Sequence, residues 1–91
     1  MKNSGRITQI DTNRKGRKVV VRFNTPEAQK KFIKEFRKRN THEEAKILNF
    51  NLVLSIRAGT RNVKSHILFD RNTPKVRIKS EVNQALMKSA F

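Results

Sequence analysis

Ninety-one residues allow one small domain, expected to span residues 1–91 around a single modest core. Twenty-two Lys and Arg against seven Asp and Glu give a formal charge of +15, so a compact body repels itself unless a polyanionic partner relieves the repulsion. The lack of cysteine excludes disulfides and thiolate zinc sites, and no apolar run approaches the ~18 residues of a membrane span.

In chain order, residues 1–5 are expected to fray. Arg6–Ile10 is β-permissive but imperfectly alternating, and Lys18–Phe23, with three consecutive valines, is a stronger strand. Between them lies a turn-rich segment in which Gly16 can take positive φ and Arg14, Lys15, Arg17 and Lys18 form the densest cationic cluster. A helix over residues 25–40 has the clearest marks. Thr25 is a good N-cap, Pro26 suits the first helical position, Glu27 favours the positive dipole end, and Asn40 can close the helix. At about 100° per residue, Ala28, Phe32, Ile33 and Phe36 share one arc, and Lys30, Lys31, Lys34, Arg37 and Lys38 fall on the opposite arc.

Thr41–Glu44 has the form of a capping box and predicts a short helix through Leu48. Alternation of Phe50, Leu52, Leu54 and Ile56 with polar neighbours then predicts a strand over 49–57, with 58–62 as a hairpin loop. Val63, Ser65, Ile67 and Phe69 share a face of the next strand, and Arg71–Pro74 is a turn. Lys75–Lys79 reads as a strand with Val76 and Ile78 inward and Lys75, Arg77 and Lys79 outward. Ser80 would cap a final helix lined by Val82, Ala85, Leu86 and Ser89.

The expected order is ββα(α)βββα, an α+β domain with an antiparallel sheet and two main helices. The alternative is a ribbon-helix-helix-like N-terminal part. There Ala45, Leu48, Leu52 and Ile56 would line a second helix, and Lys18, Val20 and Arg22 would enter a major groove. Asn-Thr-Pro occurs at 24–26 and again at 72–74, a hint of two hairpin-plus-helix halves, but three matching residues are better explained by chance recurrence of turn chemistry.

Catalytic chemistry finds little support. His42 and His66 stand alone without cysteine, so no zinc spacing exists. Most of the carboxylates (Asp11, Glu27, Glu35, Glu43, Glu44, Asp70, Glu81) sit at predicted helix starts, where capping accounts for them. Neither a triad nor a phosphate-binding glycine loop is visible. A non-enzymatic protein without metal or cofactor is expected, intracellular, cytoplasmic and soluble, with no membrane partner.

Nucleic-acid recognition fits the cations better. The expected contacts are Arg14, Lys15, Arg17 and Lys18 in the loop, Lys30, Lys34, Arg37 and Lys38 on the helix, and a Lys75–Arg77–Lys79 ladder. Lysine-dominated surfaces grip backbone with little sequence information, Arg14 and Arg17 being the candidates for a groove probe. Phe23, Phe32, Phe36, Phe50 and Phe69 are better used as core than as stacking platforms, which favours duplex DNA over RNA. An RNA-binding protein is one alternative. A small basic inhibitor or adaptor docking on an acidic protein surface, with Met87 and Phe91 as contacts, is the other.

Overall fold

A computed structural model describes residues 5–12, 16–39, 43–50 and 63–90. Strands β1 (Arg6–Thr12) and β2 (Arg17–Phe23) lead into helix α1 (Pro26–Arg37). Strands β3 (Ala45–Phe50) and β4 (Val63–Phe69) lead into helix α2 (Lys75–Ser89). The four strands form one sheet in the order β1-β2-β4-β3, with every neighbouring pair antiparallel. The described residues thus form two ββα units that pair through β2 and β4, and in each unit an Asn-Thr-Pro leads from the second strand to the helix.

The imperfect alternation of β1 has a structural cause. Ile7 and Ile10, three residues apart, cannot share a face of a regular strand. An irregularity between Ile7 and Gln9 absorbs one residue, so Ile7 lies opposite Val21 and Ile10 opposite Val19, both packed on the core. Gly16, just before β2, takes the positive φ expected of it, 159°, a conformation that side-chain-bearing residues rarely adopt. Space demands glycine there as well, since a Cβ would stand 2.6 Å from the Phe69 carbonyl oxygen.

Both helices cover one face of the sheet. Val19, Val21 and Phe23 of β2, Val63, Ile67 and Phe69 of β4, and Ala45 of β3 form one buried cluster. Phe32, Ile33 and Phe36 of α1 and Ile78, Val82, Ala85 and Leu86 of α2 complete it. Ring centroids of Phe23 and Phe32 lie 5.2 Å apart, Phe32 and Phe36 5.7 Å, and Phe36 and Phe69 6.1 Å, an aromatic chain from β2 through α1 to β4. Thr25 caps α1 as expected, its hydroxyl oxygen accepting from the Ala28 amide at 3.2 Å.

Three expectations are corrected. The short helix through Leu48 is absent: Ala45–Phe50 is β3, which pairs with β4 from Ala45 opposite Phe69 to Phe50 opposite Lys64. The capping box belonged to a helix that would have left that side of β4 without its ladder. The strand expected to begin at Asn49 therefore starts at Ala45. Its continuation over 51–57, the loop 58–62, the Phe50 side chain, Asn40, Thr41, His42 and Phe91 lie outside the described residues. The ribbon-helix-helix alternative falls with the same observation, because it required helix where β3 runs. Lastly, Lys75–Lys79 is the first part of α2, and Ser80 lies inside the helix, its hydroxyl accepting from Gln84 at 3.1 Å. Val76 is exposed and Ile78 fully buried. Ile78, Val82, Ala85 and Leu86 recur at helical spacing, whereas a strand would have turned Val76 and Ile78 the same way.

Candidate nucleic-acid interface

Helix α1 divides its residues as the wheel requires. Gln29, Phe32, Ile33 and Phe36 are buried; Lys30, Lys31, Lys34, Arg37 and Lys38 are exposed. Lys30, Lys34 and Arg37 follow one another at helical i, i+4, i+7 spacing, a cationic line about 10 Å long at 1.5 Å per residue. Lys38 is partly engaged, its ammonium 3.3 Å from Glu35. Gln29, unremarked in the sequence, is the polar member of the buried face. Its side-chain amide donates to the Lys64 carbonyl at 2.8 Å and to the Ser65 hydroxyl at 3.0 Å. The Ser65 hydroxyl in turn donates to Asn49 at 3.3 Å, tying α1 to β4 and β3.

The Lys75–Arg77–Lys79 ladder does not exist. In a helix, residues two apart are turned about 200° from each other, so Arg77 leaves α2 on the side away from Lys75 and Lys79, which share a face four residues apart. Arg77 meets Glu44 at 3.0 Å. At the end of α1, Arg39 pairs with Glu81 and donates to Gln84, linking the helices. Arg14 and Lys15 lie outside the described residues. Arg17 begins β2, half-buried with its Nε enclosed, opposite Thr12 and Phe69 on the helix side of the sheet. Lys18, its neighbour, lies on the other side. Arg17 and Lys18, the described members of the loop cluster, are therefore divided between the two faces.

Both described helices pack on one face of the sheet, and the side chains of the other face follow from the strand registers. The strand registers arrange it in three rows across the strands. Arg6 lies opposite Arg22, and Arg22 opposite Lys64. Gln9, Val20, His66 and Leu48 form the middle row, and Asp11, Lys18, Leu68 and Lys46 the third. Val20 is nearly covered at 6% exposure yet stands outside the core cluster, as its position on this face requires. Leu48 is 38% exposed, and His66 is half-buried. Burial, then the charges of Lys18 and Lys64, lower the His66 pKa from its ordinary 6.5. Arg6, Lys46, Lys64 and His66 were not among the expected contacts, and Arg22 was one only in the ribbon-helix-helix alternative. Period-two placement of Lys18, Val20 and Arg22, and of Lys64, His66 and Leu68, was the available signal; it showed one shared face per strand, but not which strands would be neighbours.

Among the described residues there is no cluster of three or more His, Cys, Asp or Glu able to hold a metal ion, and no helix is long and apolar enough to cross a membrane. No protein-family model, curated protein or solved structure matches the chain.

Proposed function

We propose that this chain is a non-enzymatic nucleic-acid-binding protein that grips the phosphate backbone of duplex DNA with little sequence preference. The observation that carries the reading is the outer arc of α1, where Lys30, Lys34 and Arg37 line up opposite the buried face. A straight line of cations on a rigid element meets a line of phosphates without side-chain rearrangement, and each neutralised phosphate releases condensed counterions. Lys38, Arg39 and Arg77, which are drawn into ion pairs, are not on this line.

The test is a salt series of anisotropy isotherms with duplexes of unrelated sequence. Contact with about six phosphates weakens binding by roughly a thousandfold between about 50 and 200 mM salt, with similar affinities across sequences. A flat dependence of log K on log salt rejects the reading. A pull-down repeated after nuclease treatment tests the adaptor reading, because a directly bound acidic protein survives digestion.

A further inference from the structure

The sheet face opposite the helices has a composition that its own stability does not explain. Arg22 stands between Arg6 and Lys64 in one cross-strand row, and like charges directly opposite each other destabilise a sheet. The next row is apolar at its centre, and the third carries Lys18 and Lys46 on either side of Leu68, with Asp11 beside Lys18 at the β1 edge. We propose that this face binds single-stranded nucleic acid, an unpaired base lying on His66 and Leu48 while its flanking phosphates meet Arg6, Arg22 and Lys64 on one side and Lys18 and Lys46 on the other. The inference rests on the chain being a nucleic-acid binder, but it uses the opposite side of the molecule from α1.

The geometry separates a single strand from a duplex. Cationic rows flank the middle row at about 6.6 Å, within reach of a nucleotide's phosphates when its base lies between them. Valine, histidine and leucine are shorter than the arginines and lysines on both sides, so the centre forms a trough floored by apolar carbon and an imidazole. A flat base fills such a trough, stacks on the imidazole and buries the exposed Leu48. A duplex keeps its bases stacked and paired inside, so its phosphates would meet the cationic rows while the trough faced a wet groove. The apolar row would then contribute nothing. Polyanion charge on both flanks also offsets the repulsion between Arg22 and its two neighbours.

The test uses the full-length chain and labelled probes: an oligothymidine of about ten nucleotides, the same strand lacking its bases, and a duplex. Oligothymidine is expected to bind about tenfold more tightly than the abasic strand. Combining Leu48→Gln with His66→Ala should erase that preference and leave duplex affinity unchanged. Lys18→Glu with Lys64→Glu should weaken both single strands. In the wild-type protein the His66 ring resonances should shift with oligothymidine and hold still with duplex, a readout independent of how the variants fold. Equal affinity for the base-bearing and abasic strands, or unmoved His66 resonances, overturns the inference. So does displacement of oligothymidine by polyglutamate of equal charge and concentration, which assigns the face to an acidic protein. Failure of every nucleic-acid probe to bind removes the duplex proposal too, whereas duplex binding with an indifferent sheet removes the sheet site alone.

Discussion

At the scale of single residues, burial and charge make separate demands that separate substitutions can read. Phe36 is fully buried and touches rings on two sides, so Phe36→Ala should cost about 3–5 kcal/mol in denaturant unfolding. Gln29 is as deeply placed but matters through its two donated hydrogen bonds. Gln29→Leu keeps much of the volume but removes both donated bonds, leaving Ser65 only its bond to Asn49, for an expected loss of about 1–3 kcal/mol. His66 should make stability depend on pH. Its folded pKa is below the ordinary 6.5, for burial first and then Lys18 and Lys64, so the unfolded chain binds the proton more readily. The corresponding stability is whole above 6.5 and is lost as pH falls from there through the lower folded value. Melts from about pH 8 to 5 should show a steeper acid decline for wild type than for His66→Gln. Equal slopes would mean that the sheet face does not feel the proton.

At the scale of elements, the parts legible in the sequence were those whose local and tertiary signals agree. In α1, cap, proline, dipole and apolar arc all pointed the same way, and the helix formed as they required. Lys75–Lys79 was misread because five residues with two apolar positions fit either period; only the recurrence from Ile78 to Leu86 decides for helix. Ala45–Phe50 was misread because its capping signal is local, while its strand is made by an unpaired edge of β4 far along the chain, from Ala45 opposite Phe69 to Phe50 opposite Lys64, which no local pattern reveals. The candidate sheet surface failed to appear for the same reason: alternation placed Lys18 with Arg22 and Lys64 with His66, but the order β1-β2-β4-β3 is what gathers them. Paired substitutions in α2 check the helix directly. Ile78→Ala should cost about 2–5 kcal/mol, whereas Val76→Ala, at 76% exposure, should change stability by less than about 0.5 kcal/mol. A strand with both side chains inward would make the two losses comparable.

At the scale of the whole molecule, the dominant quantity is the charge of +15 on a body of 91 residues, which lowers the stability of the free protein and raises its affinity for polyanions. Reversing Lys30, Lys34 and Arg37 to Glu together removes six charge units and leaves a formal charge of +9. None of the three contributes to the buried cluster or to a described ion pair, and the changed residues remain good helix formers. The variant should therefore keep its circular dichroism spectrum and melt at or above the wild-type temperature. Its duplex binding should weaken, and the slope of log K against log salt should become shallower by about 2.7, since each lost phosphate contact accounts for about 0.9. The single-strand preference read at His66 should persist, because those residues lie beyond the sheet from α1. A variant that unfolds would show that the helix face is misassigned. One that folds and retains the full salt slope would show that α1 is only a solvated face, leaving the sheet as the surface that carries the charge to its partner.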